Sequence, residues 1–220
     1  MNFNGNGFDI SKYLGGKNVD ELTIKELSFI HLDYHNFRHK LKTCYLSSNL
    51  YHLTETLSCS FNNKRTSQYV PLMTSFAILD QIGCLYSPLG KSSKYKNGIK
   101  RALDLFSEVP ESHLNLLVTL RHGLFHDGSL ISRNDKTKTY VFFRMITDSG
   151  KLISEPDSHW DGVFKEELSH HTTRIDLKEL QKLTLNVLDT CLKLLKIEEL
   201  EISLKDPKEL FYKYLFGIDL

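Results

Sequence analysis

The chain has 220 residues, enough for one sizeable domain or two small ones, and its 40% hydrophobic and 25% charged residues exclude wholesale disorder. Lysine and arginine number 28 against 27 acidic residues, so the formal net charge of +1 excludes the strong basic excess of many nucleic-acid binders. Any RNA or DNA contact must therefore come from a local patch or from a site that acts on a substrate.

The amino-terminal half of the chain reads as helical. We treat residues 1–220 as one domain in which 1–18, rich in Asn and Gly, are expected to form a mobile arm. A helical pattern begins at Asp20, and TIKE at Thr23–Glu26 has the form of a capping box. The pattern extends, with a break, to about Ser58.

Further helices follow along the chain, with one change of character between them. The segment 129–172 contains the β-branched and aromatic run TYVFFRMI, the turn DSG and the short run KLIS, which together predict a β-hairpin insertion. The predicted fold class is mainly α, a bundle of five or six helices with this small hairpin. The further helices are expected at Pro71–Ser87, at Asn97–Glu108, from Pro110, from Asp176, and in the aromatic tail from Pro207.

The spacing of the cysteines, the first residues and the lengths of the apolar runs indicate the cellular compartment and the cofactors to expect. The four cysteines are scattered without a CxxC pair, which argues against a zinc ribbon and a disulfide scaffold. The start, MNFNGNGFDI, lacks the pattern of a signal peptide, and no run approaches 18 apolar residues. No phosphate-binding glycine motif occurs. We therefore expect a cytoplasmic protein without a membrane span and without a cofactor.

The stretch LRHGLFHDG ends an otherwise apolar helix and contains Arg121, His122 and His126. A buried arginine is costly unless it has partners, so a salt bridge at the helix edge is the simplest explanation of Arg121. In an α-helix, however, Arg121 and His126 point about 140° apart. A second copy of the helix could bring both into one groove, and Gly123 would let another backbone approach closely.

The chemistry of this stretch favours RNA cleavage. Arginine holds phosphate with several donors, and histidine transfers protons near neutral pH. Without a cysteine cluster or paired acidic metal ligands, this combination suits metal-independent cleavage in which the RNA 2′-hydroxyl is the nucleophile.

The run Arg121-His122-Gly123-Leu124-Phe125-His126 resembles the R-x4-6-H motif of HEPN domains, which also place a polar residue after the arginine. The resemblance implies a HEPN-like helical bundle, a homodimer with a composite active site, and endoribonuclease activity. It implies catalysis by Arg121 and His126 with assistance from His122. It further implies a toxin or phage-defence role, with an antitoxin or another regulatory protein as partner.

Other polar residues are candidates for support of this site. Asp80, in an apolar helix, either orients Arg121 or a histidine, or is a buried counter-ion or surface residue. The basic run KSSKYKNGIKR either tracks an RNA backbone or is a solvated loop and helix start. The candidate RNA-binding residues in that run are Lys94, Lys96, Lys100 and Arg101.

Two other functions remain open on the sequence. One is a catalytically silent module that binds RNA or a protein partner. The weaker one is a metal-dependent nuclease built on the pair His122 and His126 together with Asp127. The series His31, His35 and His39 also has a spacing that can bind metal, but a solvated helix stripe is favoured.

Overall fold

The computed structural model describes residues 9–134, 136–164 and 167–219, and residues 1–8 of the predicted arm therefore lie outside the described residues. Helices contain more of the described residues than strands do. Within it they are α1 (Ile10–Gly15), α2 (Ile24–Leu32), α3 (Asn49–Ser60), α4 (Val70–Leu85), α5 (Gly98–Phe106), α6 (Glu111–His122), α7 (Leu177–Lys196) and α8 (Pro207–Tyr214).

Short strands connect these helices and form three sheets among the described residues. The sheet orders are β1-β2-β9, β3-β8 and β4-β5-β7-β6. The strands are β1 (His39–Lys40), β2 (Cys44–Ser48), β3 (Tyr86–Pro88), β4 (Ile131–Arg133), β5 (Tyr140–Ile146), β6 (Ile153–Ser154), β7 (Thr172–Asp176), β8 (Leu200–Ile202) and β9 (Leu215–Asp219).

The predicted fold class, a mainly α HEPN-like bundle with one small hairpin, is wrong. Strands β5 and β6, the two arms of the predicted hairpin, do not pair with each other. Strand β7 lies between them, parallel to β5 and antiparallel to β6, in a four-stranded mixed sheet. A parallel pair needs a long crossover connection, so its partners lie far apart in sequence and no local pattern reveals them.

Helix α4 lies in the middle of the helical part, as its apolar sequence predicts, and is buried along most of its length. It crosses α5 at two glycines. A Cβ atom on Gly83 would lie 1.8 Å from the carbonyl oxygen of Gly98, so only glycine allows the two backbones to pass at this distance. This crossing sets the position of the basic residues on α5.

The amino-terminal elements differ from the sequence prediction. Residues 10–15, within the predicted arm, form α1, and its Leu14 is only 1% exposed. Helix α2 ends at Leu32, well before Ser58, and two strands separate it from α3. His31 and His39 are consequently buried, so the favoured solvated histidine stripe is wrong for these two residues.

The capping box of α2 is confirmed, and its Glu26 also forms a partly buried ion pair. Glu26 accepts hydrogen bonds from the amide and hydroxyl of Thr23 at 2.7 and 2.8 Å, and from Lys17 Nζ at 2.6 Å. Burial opposes ionisation of this carboxyl, but the hydrogen bonds from Lys17, Tyr13 and Thr23 outweigh it and lower the pKa of Glu26 to about 2.

We predict that Glu26→Gln lowers the free energy of unfolding at pH 7 by about 2–3 kcal/mol. The reason is that the folded protein stabilises the ionised carboxylate more than the protonated carboxyl. A lowered carboxyl pKa stabilises the fold above the unfolded value of 4.5, and this contribution is lost as the pH falls towards 2. Urea unfolding from pH 7 to pH 2 measures the difference.

The matched control is Glu209→Gln, which removes an exposed pair with Lys213 within α8 and should change stability little. An equal loss in both variants, or a Glu26→Gln deficit that persists at pH 2, would contradict the prediction.

Candidate functional site

The candidate site begins where helix α6 changes its geometry. After His122 the helix widens into a π turn, Gly123–Asp127, in which the Gly128 amide donates to the carbonyl of Gly123, five residues earlier. Gly128 ends the turn in a left-handed conformation with φ 62°. In a π turn, residues five positions apart point in more similar directions than they do in an α-helix. The angle of about 140° between Arg121 and His126 in a regular α-helix therefore does not apply.

Gly123 is needed for contact within the chain. A Cβ atom at this position would lie 2.9 Å from the carbonyl oxygen of Ser129 and 2.9 Å from Cβ of Ser132. The chain therefore folds back directly onto the end of α6 and continues into β4. The close approach that the sequence predicts for a second subunit is made here by the chain's own backbone.

Arg121 is half-buried, and no carboxylate of a described residue pairs with it. Its guanidinium carbon lies 5.4 Å from the centre of the Phe125 ring, a cation–π contact. In the part of the chain that the structure describes, Arg121 makes no hydrogen bond and no ion pair. Its hydrogen-bond donors are thus available to an anion. Among the described residues Arg121 does not form the salt bridge that was the simplest explanation from the sequence.

His122 and His126 lie one turn apart and contact each other. Their ring centres are 5.5 Å apart in an edge-on arrangement. His122 is half-buried and His126 is exposed. Together with Arg121 they form what we call the Arg–His cluster, which combines two proton-transfer groups with one anion-binding group on a single helix end.

A small cavity of about 30 Å³ adjoins His122, and we call it the basic cavity. Three of its lining residues are cationic and none is acidic: Lys100 on α5, Arg133 at the end of β4, and Lys136 in the loop after it. The Nζ atom of Lys100 donates to Asn115 Oδ1 at 2.7 Å. A phosphate next to His122 would therefore meet positive charge on several sides.

Glu111, at the start of α6, limits this positive charge. Its carboxylate pairs with Lys136 and with Lys94, the latter at 3.0 Å. Hydrogen bonds from Lys136 and then Lys94 lower the pKa of Glu111 to about 2. The carboxylate is therefore ionised at neutral pH and holds both lysines at the amino-terminal end of α6.

The four candidate RNA-binding residues are divided between different surroundings. Lys100 lines the basic cavity, Lys94 pairs with Glu111, and Lys96 is exposed. Arg101 is half-buried near Cys84 and affects the charge balance of that thiol. Of the four, only Lys100 is brought to the Arg–His cluster.

Asp80 lies at the crossing of α4 and α5. A Cβ atom on Gly98 would be 2.4 Å from its Oδ1 atom. Partial burial and then the Asp80 charge raise the pKa of Cys84, and Arg101 opposes this. No hydrogen bond or ion pair between described residues joins Asp80 to Arg121, His122 or His126, so its supporting role stays a prediction.

Six lining residues of the basic cavity were not among the candidates from sequence, and three of these lie in one stretch after α6: Arg133, Asn134 and Lys136. They lie in the stretch SRNDKTK, whose positive charge is the sequence signal that could have identified them. Its distance in sequence from Lys100 of α5 conceals the fact that both lie beside His122.

Three further findings concern metal binding, membrane spanning and similarity to known proteins. Among the described residues, no group of three His, Cys, Asp or Glu side chains is placed to hold a metal ion. None of the described helices is both long and apolar enough to cross a membrane. No family model, curated protein or solved structure matches the chain.

We predict that Gly123→Ala lowers the free energy of unfolding by about 1–3 kcal/mol, because the added methyl group overlaps backbone and side-chain atoms that cannot both move away. Urea unfolding measures the loss. Gly15→Ala is the control, since its Cβ would lie 4.0 Å from the carbonyl oxygen of Lys40, an ordinary contact that should be tolerated. A fully stable Gly123→Ala protein would contradict the close approach.

Proposed function

We propose that the chain is a metal-independent endoribonuclease whose active site is the Arg–His cluster. The observation that carries the proposal is the half-buried Arg121, which has no anionic partner among the described residues, next to the contacting imidazoles of His122 and His126. The basic cavity supplies further positive charge at the same place. The likeness to HEPN domains supports the proposal through the motif and not through the fold.

In the proposed reaction the 2′-hydroxyl of a ribose attacks the adjacent phosphorus atom. One imidazole of the His122–His126 pair accepts the hydroxyl proton, and the other donates a proton to the departing 5′-oxygen. Arg121 stabilises the charge that develops on the non-bridging oxygens. The bond from phosphorus to the 5′-oxygen breaks, leaving a 2′,3′-cyclic phosphate on one product and a 5′-hydroxyl on the other.

The homodimer with a composite site is part of this proposal. In a regular α-helix the large angle between Arg121 and His126 favours a second subunit. The π turn reduces this angle and so weakens that reason for a dimer. Residues of a partner could still complete the cluster, because His126 and Phe125 are exposed. Mixing Arg121→Ala with His126→Ala restores cleavage only if one subunit supplies the arginine and the other the histidine.

We predict that Arg121→Ala and His126→Ala each lower the rate of RNA cleavage at least about 100-fold, because each removes a group that acts in the transition state. The measurement is single-turnover cleavage of total RNA and tRNA, followed by end-group analysis. Both variants should keep the unfolding midpoint of the parent protein.

The matched control is His170→Ala, which removes an exposed histidine paired with Asp157 and should leave the rate unchanged. EDTA should have no effect. Undiminished cleavage by both site variants would overturn the assignment, and EDTA inhibition reversed by added metal would favour the metal-dependent alternative. RNA that stays intact but comigrates with the protein would instead indicate a silent RNA-binding module.

We also predict that Lys100→Gln and Arg133→Gln weaken binding of single-stranded RNA and each reduce the slope of log affinity against log salt by roughly 0.7, because each removes about one phosphate contact. Fluorescence anisotropy with a His126→Ala protein avoids cleavage during the titration. Lys182→Gln, an exposed lysine of α7, is the control. An unchanged salt slope in both site variants would exclude the basic cavity from the RNA path.

A further inference from the structure

A second cavity, of about 300 Å³, lies next to the basic cavity, and we call it the aromatic cavity. Residues of α6 form one wall, and residues of β5, β7 and the segment before Trp160 form the others. This volume is at the lower end of the range for small-molecule sites, so the cavity accommodates one compact ligand and not a long chain.

The walls of the aromatic cavity combine flat apolar surface with hydrogen-bonding groups. Tyr140 and Trp160 supply aromatic rings, and their ring centres are 6.2 Å apart. The indole Nε1 of Trp160 donates to the carbonyl of Val163 at 2.9 Å, which holds the ring in place. Asn115 and Asn134 add amide groups. Rings for stacking and amides for edge recognition are what proteins use to bind an unpaired base.

Thr173 gives an independent indication of a ligand. It lines the aromatic cavity, it is 1% exposed, and its Oγ1 atom has no hydrogen-bond partner in the described chain. A buried hydroxyl without a partner is unfavourable, and most such groups in proteins are paired. A ligand in the cavity with a polar edge would satisfy it.

The two cavities are neighbours and share part of their walls. Asn115, Asn134 and Lys136 line both of them. Oδ1 of Asn134 accepts from the amides of Lys136 and Thr137 at 2.9 and 3.3 Å, which shapes the loop between the cavities. A ligand ring in the aromatic cavity would thus have its attached phosphate close to Lys136 and His122.

We propose that the aromatic cavity binds one unpaired nucleobase of single-stranded RNA and so selects the nucleotide beside the cleaved bond; this rests on the ribonuclease function proposed above. Tyr140 stacks on the base, and the side-chain amides of Asn115 and Asn134 bond its edge. The Thr173 hydroxyl bonds another polar group of the same nucleotide. The basic cavity holds the adjoining phosphate. Base selection and phosphate chemistry are thereby assigned to neighbouring parts of one surface.

The chain contains a single tryptophan, Trp160, so its fluorescence reports on the aromatic cavity without a label. The probes are the four nucleoside 3′-monophosphates, titrated separately into the full-length protein, with inorganic phosphate as the comparison. We expect a saturable change in Trp160 fluorescence with nucleotide, and none with phosphate over the same concentrations.

Two pairs of variants test the named contacts. Tyr140→Ala, at a half-exposed position, should weaken nucleotide binding about tenfold or more through the lost stacking, whereas Tyr140→Phe keeps the ring and should bind like the parent. Thr173→Val should weaken binding roughly 5- to 10-fold through the lost hydrogen bond. Its control, Ser75→Ala, removes another buried hydroxyl without a described partner but leaves the cavity intact.

The proposal is overturned if no nucleotide changes the fluorescence, if phosphate alone gives the same change, or if Tyr140→Ala and Thr173→Val both bind like the parent. Cleavage is assayed separately on the parent protein. Nucleotide binding without RNA cleavage would refute the ribonuclease function and support the base site, whereas cleavage without nucleotide binding would refute only the base site.

Discussion

The backbone contact at Gly123 is the constraint on which the rest of the site depends. No side chain fits between this residue and the backbone that follows it, so the chain turns back at the end of α6 and enters the four-stranded sheet. That turn brings Arg133 and Lys136 beside His122, although they lie outside the helical part of the fold. The close packing of two backbones thus assembles the basic cavity.

The electrostatics of the site explain how a nearly neutral protein can present a cationic surface. The formal net charge is only +1, but Lys100, Arg133 and Lys136 converge next to His122, whose ring contacts that of His126. Glu111 neutralises part of this charge at the edge, where it pairs with Lys94 and Lys136. Arg121 has no hydrogen bond or ion pair among the described residues, so its guanidinium is available to an anion.

Local sequence signals identified most of the helices, although not α1, and failed for the sheets. The capping box at Thr23–Glu26 and the continuous apolar run of α4 are properties of neighbouring residues, so they are visible without a structure. The pairing of β5 with β7 joins segments far apart in the chain, and the sequence instead favoured a hairpin. The end of α2 at Leu32 was also missed, and with it the burial of His31 and His39.

The sequence by itself determined that one helix end carries Arg121, His122 and His126, and that the chemistry of these residues suits phosphate and proton transfer. Only the tertiary structure decided what surrounds them. The basic cavity and the buried hydroxyl of Thr173, which has no hydrogen-bond partner among the described residues, arise from contacts between segments that are distant in the chain. The π turn accompanies the return of the chain onto Gly123. A short stretch of sequence shows which residue types are present and which of them share one face of a helix. Contacts between distant segments depend on how whole elements pack, which no short stretch of sequence encodes.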